Sequence, residues 1–136
     1  MPTFSLRSMA RLDTCHPDLI RLMSEVVRDV DITVLEGHRD EARQNQMVAE
    51  GKSKLRWPRS RHNSTPSLAV DVAPYIAGKG ASWDWADYHP LAAHVKATWD
   101  RLMSEGRLSG EYDLSWGGDW RSFPDGPHWQ LDPRAS

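Results

Sequence analysis

The chain has 136 residues, 39% of them hydrophobic and 26% charged, with a formal net charge of −2. That is enough for one globular domain with its own core and too little for two, and the near-neutral balance excludes the basic footprint of a nucleic-acid-binding protein. No apolar run approaches the roughly 20 residues of a membrane span, no secretory signal is apparent over Met1 to Ala10, and one cysteine, Cys15, excludes an internal disulfide framework.

From Pro17 to Val30, apolar residues recur at Leu19, Met23, Val26, Val27 and Val30, the spacing of one helix face, with Pro17 suited to the first helical position. Ile32 to Leu35 is short and β-branched and reads as a strand. Asp40 can cap a second helix that runs to about Glu50 and stops at Gly51. Lys52 to Ser67 has no period and reads as a loop. It gathers Lys52, Lys54, Arg56, Arg59 and Arg61, either a solvated basic face or a contact for an anionic polymer. Leu68 to Ala73 alternates, with Leu68, Val70 and Val72 on one side and Ala69, Asp71 and Ala73 on the other. Ile76 to Trp85 is read as a loop, Pro90 as the start of a third helix ending near Gly106, and Tyr112–Trp116 and His128–Leu131 as strands. The short final connection favours antiparallel pairing, so the predicted fold is α+β: a small antiparallel sheet with helices packed around it, residues 1–136 forming a single domain.

Two segments carry the chemistry. Ser60-Arg61-His62 leads into the strand holding Asp71, and Asp125-Gly126-Pro127-His128 supplies a second histidine with a carboxylate three residues before it. Two imidazoles and one carboxylate, His62, Asp71 and His128, form a common ligand set for catalytic zinc, with a fourth position left for water. Asp125 is then a spare carboxylate of the kind hydrolysis uses as a proton carrier. Its competing use is in turn formation, and Asp119 in Trp116-Gly117-Gly118-Asp119-Trp120 is read as a turn residue only. Arg39 is either a carboxylate- or oxyanion-binding guanidinium or the partner of Asp40 or Glu41 in a surface ion pair. Seven tryptophans are many for this length, and Trp116, Trp120 and Trp129 are expected to wall the site.

Glu36-Gly37-His38-Arg39, Asp71-Val72-Ala73-Pro74-Tyr75, Trp116-Gly117-Gly118-Asp119-Trp120 and Asp125-Gly126-Pro127-His128 occur here in an order that resembles the zinc peptidoglycan peptidases of the VanX/VanY and L-alanyl-D-glutamate endopeptidase family. The likeness is greatest to short phage endolysins and runs from about Leu19 to Leu131. The turn between His62 and Asp71 is longer than in many members. The resemblance implies zinc on His62, Asp71 and His128, Asp125 as general acid/base and Arg39 as the oxyanion-stabilising group; Gln44, one helical turn after Arg39, and Ser60, beside the metal loop, are read from their positions as substrate-binding residues. It further implies a monomeric enzyme that cuts the L-alanyl–D-glutamate bond of stem peptides and lyses the host. Such an enzyme has no separate wall-binding domain, makes no stable membrane insertion, and waits in the cytoplasm until a pore admits it to the periplasm. Two alternatives remain at this level: a D,D-carboxypeptidase of the same fold, and a non-catalytic zinc-stabilised wall-binding module.

Overall fold

A computed structural model describes residues 2–135. Four helices surround a small antiparallel sheet: α1 (Leu6–Leu12), α2 (Pro17–Val26), α3 (Glu41–Ala49) and α4 (Trp85–Ser104), with strands β1 (Ile32–Glu36), β2 (Ala69–Ile76), β3 (Gly80–Ala81), β4 (Tyr112–Trp116) and β5 (His128–Pro133). The strand order is β1-β2-β5-β4, and β3 folds back on the end of β2. This is the α+β arrangement expected from the sequence.

Alternation divides the sheet into two faces. Val34, Val70, Val72, Trp129 and Leu131 meet Leu19, Leu22, Met23 and Val26 of α2 and Leu91, Val95 and Leu102 of α4, all of them buried. Each such side chain contributes about 1.5–3 kcal/mol by leaving water. The opposite face of the central strands is left for polar residues, and the site lies there.

Several elements differ from expectation. α1 has no strong apolar period and was not foreseen. Ser5 caps it by accepting from Ser8 N–H, and Ser8 Oγ in turn accepts the Val34 N–H at 3.0 Å. Arg11 donates to the Val34 carbonyl. The helix therefore covers the outer strand β1, which would otherwise present unpaired backbone groups. α2 ends at Val26, its last predicted residues forming turns instead. β2 runs on to Ile76, and the predicted loop after it contains the short return strand β3. α4 starts at Trp85 rather than Pro90, because Asp84 accepts the Ala86 N–H as an N-cap, and Pro90 is carried inside the helix without a donor for that turn. The Asp40 cap of α3 and the stop at Gly51, with φ of 75°, are as expected.

Candidate metal centre and cleft

Three strands lay the site out in one row. In the β2–β5 ladder Asp71 is opposite His128, so their side chains emerge side by side on the same face. On the other flank, Val34 pairs with Val72, and regular pairing would next set Leu35 against Asp71. A bulge between Val34 and Glu36 places Glu36 there instead. One inserted residue thus turns an apolar side chain away and a carboxylate in.

His62 joins the row from the loop. A 3₁₀ turn, Arg61–Asn63, is capped at both ends of its first bond: His62 N–H donates to Ser60 Oγ, and Ser60 N–H to Asn63 Oδ1. The long turn after it, Ser64 to Pro66, is exposed to solvent, so its length leaves the approach of His62 to Asp71 intact. His62 Nδ1 lies 2.7 Å from the Gly37 carbonyl oxygen, which fixes the proton on that nitrogen and directs Nε2 to Asp71 Oδ1, 3.2 Å away. His128 is turned the other way. Its Nε2 is 2.8 Å from Gln130 Oε1, and its Nδ1 is 3.2 Å from the same Asp71 oxygen. One ligand atom from each of His62, Asp71 and His128 lies within 4.8 Å of the others, a cluster that could hold a metal ion. Two imidazole nitrogens turned inward by bonds on their far sides, with one carboxylate, fit such an ion well.

Electrostatics agree with the geometry. Burial pushes the Asp71 carboxyl up, but the charges and hydrogen bonds of His62 and His128 outweigh it and hold the group well below the usual carboxylate range. Burial lowers His128, and its hydrogen bond to Asp71 overrides this and raises it. Asp125 moves the opposite way to Asp71: burial and the Asp71 charge both raise its pKa, against His128, His62 and Arg39.

Asp125 is held by its backbone. Its N–H donates to the Gly117 carbonyl, its own carbonyl accepts from His128 N–H, and Trp116 Nε1 donates to Gly126 O at 2.7 Å. A Cβ at Gly117 would strike the Asp125 carbonyl, so this close approach requires glycine. The Asp125 carboxylate is left facing a cleft of two lobes. The first, about 230 Å³, is lined by Arg39, Lys54, Arg61, Trp120 and Phe123 together with the metal-ligand candidates. The second, about 460 Å³, is lined by Trp83, Trp85, Tyr88, Pro124 and Pro127. Both reach Asp71 and Asp125, which sit where the lobes join.

Arg39 is not in a surface pair with Asp40 or Glu41. It is buried, with Nε and Nη2 donating to Glu36 Oε1 at 3.0 and 2.7 Å, Nη1 donating to Gln44 Oε1 at 2.9 Å, and Nη2 lying 3.6 Å from Asp71 Oδ2. Gln44 is fully buried and outside the cleft lining. Its Oε1 also accepts from Asn63, and its Nε2 donates to Ser53 and to the Leu55 carbonyl, so it braces Arg39 and the basic loop. Ser60 does line the cleft, with its hydroxyl spent on the 3₁₀ turn. Among the tryptophans, Trp120 faces the site, its ring 5.0 Å from that of His128, whereas Trp116 and Trp129 stack on each other and are buried. Asp119 bonds Lys96 of α4 at 2.7 Å and takes no part in the cluster.

Gln130 and Asp132 extend the site beyond the residues expected from the sequence. Gln130 Nε2 donates to Asp132 Oδ1, Ser115 Oγ donates to Asp132 Oδ2, and Arg61 lies 3.4 Å from Asp132 Oδ1. A chain of bonds therefore runs from His128 to the far strand. The signal was present: His128, Gln130 and Asp132 alternate with Trp129 and Leu131, as a strand with one polar face must.

The family model for phage L-alanyl-D-glutamate peptidases matches residues 2–131. The chain belongs to this family. It is 31% identical over 124 residues to the L-alanyl-D-glutamate peptidase of Escherichia phage T5, across 90% of this chain and 84% of the relative. It is 27% identical over 113 residues to the peptidoglycan L-alanyl-D-glutamate endopeptidase CwlK of Bacillus subtilis, where the match takes in 78% of this chain but only 64% of that longer protein. Among solved structures, the Serratia marcescens L-Ala D-Glu endopeptidase ChiX superposes with a TM-score of 0.75 at 36% identity, across 96% of this chain and 91% of that one. Family and architecture thus agree with the motif order seen in the sequence.

Proposed function

We propose that this protein is a zinc endopeptidase that hydrolyses the L-alanyl–D-glutamate bond of peptidoglycan stem peptides. The observation that carries the proposal is the position of Asp125, a carboxylate of raised pKa beside a His–Asp–His cluster, at the junction of two open lobes. Zinc suits a ligand set of two nitrogens and one oxygen, and when bound it supplies Lewis-acid polarisation of the scissile carbonyl and acidifies water. His62 through Nε2, Asp71 and His128 through Nδ1 would hold it, their orientation set by the Gly37 carbonyl and Gln130.

Asp125 accepts a proton from the attacking water and returns it to the leaving amine, a role suited to a carboxyl whose pKa is raised by burial and by the Asp71 charge. Arg39, clamped by Glu36, keeps a permanent positive charge against the cleft floor and offsets negative charge developing on the carbonyl oxygen. The two-sided cleft favours an endopeptidase over a carboxypeptidase, since chain can extend in both directions from Asp125. It also disfavours a purely structural metal site, which fills all its positions from the protein and has no use for a spare carboxylate. No helix among the described residues is long and apolar enough to cross a membrane. On this reading the enzyme acts on the cell wall, reaches it through a separate pore, and brings about lysis.

Purified protein incubated with peptidoglycan should release fragments bearing a new amino-terminal glutamate, identified by mass spectrometry. Release of free D-alanine without that terminus would instead assign the carboxypeptidase activity.

A further inference from the structure

The lining of the first lobe holds more positive charge than its own acids neutralise. Arg39, Lys52, Lys54 and Arg61 all line it. Arg39 is buried and committed to Glu36 and Gln44. Arg61 lies 3.4 Å from Asp132, and Lys52 lies 3.2 Å from Glu50. Lys54 alone of the four has no carboxylate partner among the described residues. Its ammonium instead sits 5.2 Å from the centroid of the Phe123 ring, on the loop just before Asp125. A ring face attracts a cation and orients it without cancelling its charge. Phe123 holds this position with φ of 55°, a left-handed conformation that a residue with a side chain adopts only against strain, and such strain gathers at ligand clamps. The second lobe differs in kind. Its walls are Trp83, Trp85 and Tyr88, and its two cations, Arg43 and the Lys52 it shares with the first lobe, are already paired with Glu36 at 3.0 Å and Glu50 at 3.2 Å.

We infer that Lys54, steadied over the cleft by Phe123, is a carboxylate subsite that binds the free α-carboxylate of the D-glutamyl residue on the leaving side of the scissile bond. The inference rests on the function proposed above. In a stem peptide the chain continues through the side-chain carboxyl of D-glutamate, so its α-carboxylate remains ionised, two bonds from the nitrogen that is cut. Charge therefore sorts the two ends of the substrate: the anionic D-glutamyl side enters the basic lobe, and the L-alanyl side enters the aromatic one. A lysine on a flexible stem serves as a mobile point charge for such a group.

Two synthetic stem peptides test this, one with the free α-carboxylate and one with the corresponding α-carboxamide. The zinc-loaded protein should cleave the carboxylate peptide with a kcat/KM about ten- to a hundred-fold higher, the worth of one hydrogen bond to a charged group. Lys54→Gln should level the two by raising KM for the carboxylate peptide alone, and Lys54→Arg should keep the preference. An unaltered preference in Lys54→Gln, or none in the unmodified protein, overturns the subsite. Failure of the unmodified protein to cut either peptide overturns the peptidase function itself, and the subsite with it.

Discussion

His62 and His128 approach the same oxygen of Asp71 from two sides, yet the protein secures them by different means. His62 stands on a capped 3₁₀ turn, and its far nitrogen is fixed by a main-chain carbonyl, that of Gly37. His128 stands on a strand, and its far nitrogen is fixed by a side chain, Gln130, itself held by Asp132. A main-chain partner cannot be exchanged by substitution, whereas a side-chain partner can be. The first arrangement makes one half of the site invariant in chemistry. The second leaves the other half open to tuning.

The strongest way to test the comparison is to remove the imidazoles themselves. His62→Ala and His128→Ala should each reduce bound zinc from about one per chain to near zero by elemental analysis, and abolish peptidoglycan hydrolysis, because two remaining protein ligands do not make a tight site. Retention of metal by either variant would show that its imidazole is no ligand. Next in size is Asp125→Asn, which keeps the turn and removes the proton carrier. The kcat should fall roughly 10²-fold or more while zinc content holds, and near-full turnover would reduce Asp125 to a turn residue. The third test addresses the two supports directly. Gln130→Leu should weaken zinc binding about 10–100-fold in a competition titration while leaving the fold stable. Gly37→Ala should act through stability, because its Cβ would run into the Arg11 carbonyl and the Thr14 hydroxyl; overpacking of this kind costs about 1–3 kcal/mol in denaturant unfolding. If Gln130→Leu left zinc affinity unchanged, the contrast between the two histidines would lose its meaning.

Much of this was legible in the residues. His62, Asp71, Asp125 and His128 announce themselves by type and order, and the alternation from Leu68 to Ala73 already separates Asp71 from the core. What could not be seen was the work of pairing. Glu36 reaches the row of site residues only because of a bulge, and no local pattern marks the extra residue. Gln44 carries a polar side chain at a helix position where sequence alone cannot tell cleft from interior, and the structure buries it with all its amide bonds made inside the protein. α1 escaped notice because its role is to cover the edge of β1 through Ser8 and Arg11, which requires no apolar stripe. Pro90 misled by looking like a helix start, when the Asp84 cap had already begun the helix.

The pairing of Asp71 with His128 also bears on how faithfully the molecule must assemble. Side chains on a strand alternate faces, so sliding β5 past β2 by a single residue would bring Trp129 and Leu131 to the cleft and carry His128, Gln130 and Asp132 into the apolar interior. No near-miss would be half competent. The same slip that broke up the candidate metal site would bury three polar groups and expose two of the best-packed side chains, so the core rejects the error before chemistry can suffer from it. Fidelity at the site is thereby enforced by the opposite face of the sheet.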